Sequence, residues 1–104
     1  MGKWIPIQEK LPELHKHIDR DGNWNESDPV LIIGEGTFGQ YNLNGKDVAL
    51  AQLYSEDEPN ENGELFNDGV PCWTEPEVYD NFPIDGGKYG KITHWMPFPK
   101  VPTA

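Results

Sequence analysis

The pattern with the clearest link to known chemistry is glycine-rich: residues 34–39 read Gly-Glu-Gly-Thr-Phe-Gly and satisfy G-x-G-x-x-G. Such loops bind phosphates when a helix follows the glycines and points its N-terminus at the ligand. Here Asn44-Gly45 follows instead, a strong hairpin signal. A kinase-like loop is also excluded, because Ala51 stands where the lysine is needed and no H-R-D or D-F-G element exists. We therefore interpret residues 34–39 as a turn between strands that binds no phosphate.

Metal-ligating side chains cluster in the polar segment 15–28. Alternating carboxylate and amide oxygens can bind calcium, and two histidines on one strand face can bind zinc. An EF-hand loop beginning at Asp19 would need glycine at its sixth position and glutamate at its twelfth, but Gly22 is fourth and Val30 is twelfth. A solvated loop is therefore favoured, and a metal-binding or small-ligand site is the alternative. The candidate ligands are Asp19, Asp21, Asn23, His15 and His17.

The single cysteine, Cys72, could act as a thiol nucleophile with His94 and an acid. Pro71 and Trp73 flank it in an apolar stretch, which favours a buried core residue without reactivity. The spacing of the carboxylates singles out no acid/base pair. We predict no catalytic residue and no cofactor, hence a protein that is not an enzyme.

Negative charge is concentrated in one segment. The 104 residues include 18 acids and 8 bases, a net charge of −10. Ten of the acids lie between Ser55 and Gly87, a stretch without lysine or arginine. Such a surface repels nucleic acid and anionic membranes and attracts basic proteins. It predicts an interaction surface, with a solvated loop as the competing interpretation; its expected contact residues are Glu56, Asp57, Glu58, Glu61, Glu64, Tyr79, Phe82 and, from the polar segment, Trp24.

Short elements joined by turns are typical of the whole chain. Eleven glycines and ten prolines disfavour long helices. Residues 30–33 are a continuous apolar run, as in a buried strand, and Asn44-Gly45 joins two alternating segments. These signals predict one mainly β domain over residues 1–104, a small antiparallel meander or partly open barrel of about five to seven strands. A short helix within residues 9–16 would make the domain α+β.

Three regions are expected to lie outside the regular sheet. They are the polar insert at about 15–28, an acidic loop-rich segment at about 55–89 and an extended proline-rich tail at 97–104. Within the second region, residues 67–69 predict a hairpin turn between 64–66 and 70–74, and residues 75–90 predict a long loop.

Each end of the chain places a tryptophan beside a proline in a short apolar stretch. Tryptophan is costly to leave in water, and a chain of this length has room for one modest core. The two ends are therefore predicted to meet, with Trp4 and Trp95 buried in one cluster with residues 30–33. The expected structural core consists of Trp4, Pro6, Leu31, Trp73, His94, Trp95, Met96 and Pro97.

The same two ends carry a family resemblance. The opening W-I-P-x-x-x-x-L-P, the strand at Val30-Leu31 and the closing T-H-W-M-P-x-P at residues 93–99 resemble family 551 of the domains of unknown function. This resemblance implies a shared fold and an origin in bacteriophages, prophages or other mobile elements. It implies no activity. The insert at 15–28 stands where the family pattern would have a short turn.

The expected function is that of an acidic protein-interaction module, a phage or mobile-element accessory protein that binds a basic protein partner. The first alternative is a small-ligand or metal-binding domain using residues 15–28. A further alternative is a phage inhibitor of a host nucleic-acid-binding protein, which would present carboxylates where its target expects phosphates. No signal peptide and no apolar run of membrane length are present, which predicts the cytoplasm of a bacterial host and no membrane contact.

Overall fold

A computed structural model describes residues 3–20, 22–76, 80–84, 87 and 89–98. These residues form an open, curled antiparallel sheet shaped like a half-barrel, which confirms the predicted mainly β single domain. They contain nine strands, more than the five to seven predicted, because residues 15–26 and 80–82, which were expected to be loops, contribute strands. In the described ranges, no helix has the length and apolar character needed to cross a membrane. The strands are β1 (Ile5–Pro6), β2 (His15–Asp19), β3 (Gly22–Glu26), β4 (Val30–Gly34), β5 (Tyr41–Leu43), β6 (Lys46–Ser55), β7 (Cys72–Glu75), β8 (Asp80–Phe82) and β9 (Ile92–Pro97).

The long strand β6 organises the sheet. It pairs with β5 and β4 near its start and centre and with β3 and β7 near its end. The main path of the sheet runs β1-β9-β4-β6-β3-β2, and β8 pairs with β7. The hairpin predicted at Asn44-Gly45 is confirmed: Leu43 pairs with Lys46, and both turn residues have positive φ, at 52° and 83°. This backbone conformation suits asparagine followed by glycine.

The sheet carries apolar residues on both faces. Val30 and Ile32 of β4 belong to the main core, together with Trp73 and Trp95. Leu31 lies between them in sequence and packs in a second, smaller cluster on the opposite face. Neighbouring residues of a strand point to opposite faces, so one apolar run supplies both clusters. The core is therefore a two-faced sheet.

The two ends of the chain meet as predicted, because Ile5 of β1 pairs with Trp95 of β9. The prediction that both tryptophans share one cluster is wrong. Trp95 is buried in the main core, whereas Trp4 is half-buried and packs on the second cluster. The reason is again strand alternation, since the second cluster also contains Leu31 and Met96.

Other expected core residues vary in burial. Trp73, Leu31 and Met96 are buried, and Pro6 and His94 are half-buried. Pro97 is exposed, contrary to expectation, because it is the last residue of β9. The described strand β9 extends through Pro97, and residues 99–104 of the predicted tail lie outside the described residues.

The segment 15–28 is not a loop insert, because most of it forms the hairpin β2–β3. Its five cross-strand pairs run from His15 opposite Glu26 to Asp19 opposite Gly22. The hairpin joins the sheet where Asn25 pairs with Ser55 of β6. The possible short helix at 9–16 is also absent: residues 7–9 form a turn, residues 10–14 are irregular and β2 begins at His15.

The second predicted hairpin is likewise wrong. Asn67 and Asp68 do have positive φ, at 52° and 55°, but they belong to a 3₁₀ turn, Phe66–Gly69. The strand that follows, β7, pairs with β6 and not with residues 64–66. Within the expected long loop at 75–90, Asp80–Phe82 form β8 and pair with β7. The first correction comes from long-range pairing of β7 with β6, and the second from a local hairpin that β7 and β8 form.

Candidate functional site

The acidic residues and the β2–β3 hairpin lie side by side. The side-chain amide of Asn25 donates a hydrogen bond to Asp57 Oδ2 at 2.8 Å and contacts Ser55 Oγ at 3.3 Å. The amide of Asn23 donates to Glu58 Oε1 at 2.6 Å. Asparagine amides thus fix two of the carboxylates against the hairpin, and two segments that are separate in sequence become one surface.

A compact turn holds the next two acids. The side chain of Asn60 accepts hydrogen bonds from the backbone N–H groups of Asn62 and Glu64, at 2.9 and 3.0 Å. The backbone of Asn60 also bonds Glu64 and Gly63, at 2.8 and 2.9 Å. Asparagine side chains commonly close turns in this way. Glu61 and Glu64 therefore project from an ordered turn. We call Glu56, Asp57, Glu58, Glu61 and Glu64 the acidic face.

No basic side chain neutralises the acidic face within the described part of the chain. The salt-bridge contact found there joins His15 Nε2 and Asp28 Oδ2, at 3.8 Å, and involves no residue of the acidic face. Glu56 accepts a hydrogen bond from the Tyr54 hydroxyl at 2.6 Å. Burial and the neighbouring Glu56 raise the pKa of Tyr54, so this hydroxyl stays protonated and remains a donor. The other four carboxylates belong to exposed residues, and the surface presents uncompensated negative charge.

The aromatic contact residues predicted from sequence are placed differently from expectation. Trp24 is half-buried and stacks on its cross-strand neighbour His17, with ring centroids 5.3 Å apart and an interplanar angle of 9°. Phe82 is buried in the main core opposite Trp73, so it cannot contact a partner. Tyr79 lies outside the described residues.

An exposed apolar side chain was missed by the sequence analysis. Ile18 on β2 has 73% of its surface exposed, the highest value among the large apolar residues that the structure describes. Its strand lies at one end of the main sheet path. Packing in the core does not account for an isoleucine at this position, but single exposed apolar residues are common on protein surfaces. The alternation of the hairpin, once recognised, would have placed Ile18 opposite polar Asn23.

The candidate metal-ligating side chains do not form one site in the described part of the molecule. Asn23 is bound to Glu58, His17 stacks on Trp24 and His15 lies near Asp28. Asp21 and the side chain of Asp19 lie outside the described part. Among the described residues, no group of three or more histidines, cysteines or acids could hold a metal ion.

A side chain of the protein itself occupies two backbone N–H groups of the glycine-rich loop. The carboxylate of Asp47 accepts the backbone N–H groups of Phe38 and of Gly39, the latter at 3.1 Å. These are the donors that a phosphate would need. Gly34 and Gly36 instead permit close backbone approach: a Cβ at Gly34 would lie 2.5 Å from the carbonyl oxygen of Lys91. The motif is thus explained by packing and by an internal carboxylate.

The proposed thiol site is not assembled. Cys72 is buried on β7, and β4 and β6 lie between that strand and β9, which carries His94. Burial is the main cause that raises the pKa of the Cys72 thiol, with a smaller contribution from Glu56. A raised pKa favours the protonated thiol, which is a poor nucleophile.

Comparison with known proteins gives one match. A family model described as "Protein of unknown function (DUF551)" matches residues 3–103, nearly the whole chain. No curated protein and no solved structure matches.

Proposed function

We propose a function for this chain, which belongs to the DUF551 family of proteins of unknown function: it is a non-enzymatic accessory protein of a phage or mobile element that binds a basic protein partner. The binding surface is the acidic face together with the β2–β3 hairpin beside it. The compartment that we propose is the cytoplasm of a bacterial host.

The observation that carries the proposal is the pair of asparagine amides that fix Asp57 and Glu58 against the hairpin. Like charges held close together destabilise a folded chain, and a mobile loop would let them separate. Here hydrogen bonds instead hold the carboxylates of Asp57 and Glu58, and no ion pair to a lysine or arginine is present among the described residues. A basic partner would supply the missing positive charge, and the fixed geometry would reduce the entropy lost on binding.

One specific form of this proposal is inhibition of a host nucleic-acid-binding protein. Such a protein binds phosphates with lysine and arginine side chains. Fixed carboxylates such as those of Asp57 and Glu58 could occupy the same side chains by mimicking the charge of a nucleic acid. This form of the proposal rests on charge alone.

The alternative function, small-ligand binding near the hairpin, is favoured by a groove of about 590 Å³. Its lining includes His15 and Asp28 from the hairpin region and Trp95 and Phe98 from the end of the chain. A volume of this size is typical of ligand pockets. Saturable binding of a small molecule at His15 would favour this alternative over a protein partner.

The test of the proposed function is capture of a partner from bacterial lysate by the immobilised protein. Glu61→Lys combined with Glu64→Lys reverses two charges of the acidic face, and no side-chain hydrogen bond of either glutamate is present among the described contacts. We expect this variant to retain the fold and to lose about tenfold or more of the captured basic protein. Capture by the parent should weaken as salt is raised, since exposed charges are screened over about 8 Å at physiological ionic strength.

The matched control is Glu9→Lys combined with Glu13→Lys, which changes the net charge equally at exposed residues outside the acidic face. This control should capture the partner as the parent does. The proposal is contradicted if Glu61→Lys with Glu64→Lys retains every protein that the parent captures. Equal losses in both double variants would also contradict it, because net charge and not the acidic face would then decide binding.

A further inference from the structure

A β-bulge lies in the closing T-H-W-M-P motif. Ile33 of β4 pairs with His94 of β9, whereas the next residue, Gly34, pairs with Ile92. Thr93 is therefore an extra residue with no partner directly opposite. Bulges turn a side chain away from strict alternation and are frequent beside functional sites. In this bulge the side chains of Thr93 and His94, which are neighbours in sequence, lie within hydrogen-bond distance, at 2.9 Å.

The bulge also gives the His94 imidazole a hydrogen-bond partner, the Thr93 hydroxyl. Thr93 Oγ1 lies 3.4 Å from the carbonyl oxygen of Ile33, to which it can donate its one proton. When the hydroxyl donates to this carbonyl, its oxygen accepts the hydrogen bond that joins it to His94, and His94 Nδ1 is the donor. In that tautomer, neutral His94 has a lone pair on Nε2. Nε2 has no partner among the described contacts and is the ring nitrogen left for a ligand.

His94 and Thr93 line a groove of about 490 Å³. Four apolar residues, Pro6, Ile7, Ile84 and Ile92, form part of its walls, and Gln8 adds a neutral amide. Its charged groups come from Glu35 and Lys91. Glu35 Oε1 accepts the backbone N–H of Lys91 at 3.3 Å, which leaves its second carboxylate oxygen for another donor. Apolar walls with a few polar groups at fixed positions are typical of small-molecule sites.

We propose that this groove binds a small organic cation, an amidine, guanidine or amine on an apolar body. The site offers acceptor oxygens on Glu35 and, in the Nδ1–H tautomer, an acceptor nitrogen on His94, and such a ligand supplies N–H donors together with positive charge. The net charge of −10 also attracts cations and repels anions. Lys91 is exposed, and its flexible side chain can extend into solvent when the ligand is bound. The groove lies at the β1–β9 end of the sheet and is independent of the acidic face.

The test uses two probes of the same shape and opposite charge, benzamidine and benzoate. Each is titrated into ¹⁵N-labelled protein at neutral pH, and backbone amide shifts are followed. We expect benzamidine to shift the amides of Glu35 and of residues 91–94 saturably, with a Kd of about 1 mM, as a ligand of this size allows. Benzoate should shift none of them. Shifts caused by benzoate and not by benzamidine would overturn the proposal, as would the absence of saturable shifts with both.

Two variants assign the contacts. Glu35→Gln keeps the size of an exposed side chain, removes its charge and should weaken benzamidine binding about tenfold. Thr93→Val keeps the β-branched shape and removes the acceptor of the imidazole proton. Imidazole ¹⁵N shifts should then show that His94 no longer prefers the Nδ1–H tautomer, and benzamidine binding should weaken. Unchanged binding in both variants would contradict the assigned site, and an unchanged tautomer in Thr93→Val would contradict the role of the bulge.

Discussion

Trp95→Ala is expected to lower the free energy of unfolding by about 3–5 kcal/mol. Trp95 is 6% exposed in the main core, beside Val30 and Ile32 of β4. Its indole N–H also donates to the carbonyl oxygen of Lys10 at 2.7 Å, so the substitution removes both packing and a hydrogen bond. Small domains are stable by about 5–15 kcal/mol, and such a loss leaves the fold marginal. Urea unfolding followed by circular dichroism measures the change.

The matched control is Trp4→Ala, the same substitution at the other end of the chain. Trp4 is half-buried and packs on the smaller cluster, so we expect a loss of about 1–2 kcal/mol. The difference between the two variants distinguishes a two-faced sheet from a single core that both tryptophans share. Equal losses in the two variants, or a Trp95→Ala protein that unfolds at the parent's midpoint, would contradict the packing described above.

Gly36→Ala is expected to destabilise the fold by about 3 kcal/mol. A Cβ at this position would overlap the backbone carbonyl of Tyr89, and the backbone N–H of Gly36 donates to that same carbonyl at 2.9 Å. Backbone atoms cannot move aside as a flexible side chain would. The substitution should therefore separate the glycine-rich loop from residues 89–92. Thermal and urea unfolding measure the loss.

Gly39→Ala is the control from the same motif. A Cβ at Gly39 meets no atom within 4 Å, but its φ is +71°, so the expected loss is about 1 kcal/mol, from backbone strain alone. A phosphate-binding loop would give a different result, since both variants would impair ligand binding more than stability. Comparable small losses at both glycines would contradict the close approach at Gly36.

The sequence predicts correctly those elements that depend on residues close together in the chain. The Asn44-Gly45 turn follows from the positive φ that these residues tolerate, and the apolar run at residues 30–33 follows from burial on both faces of β4. The concentration of acids between Ser55 and Gly87 is also a local signal, and the interaction surface inferred from it stays a prediction. These features depend on residues that are close in the sequence.

The remaining features depend on contacts between distant residues. The polar composition of residues 15–26 predicts a loop, whereas the structure has a hairpin there, because its strand β3 pairs with β6 some 30 residues away. The role of Asn23 and Asn25 depends on the same contact. The bulge at Thr93 has no local signature either, because it is defined by the register of β9 against β4. The apolar character of the motif therefore suggested a packed histidine where the structure shows one that lines a groove.

The proposed function requires that the acidic face be ordered. ¹H–¹⁵N heteronuclear NOEs for the backbone amides of residues 56–64 measure this order directly. Backbone and side-chain hydrogen bonds fix Asn62, Gly63 and Glu64 to Asn60, and asparagine amides hold Asp57 and Glu58. We predict NOE values for these amides close to those of β4 and β6. Values near those of an unfolded chain would show a mobile, solvated loop and would remove the structural basis of the proposed function.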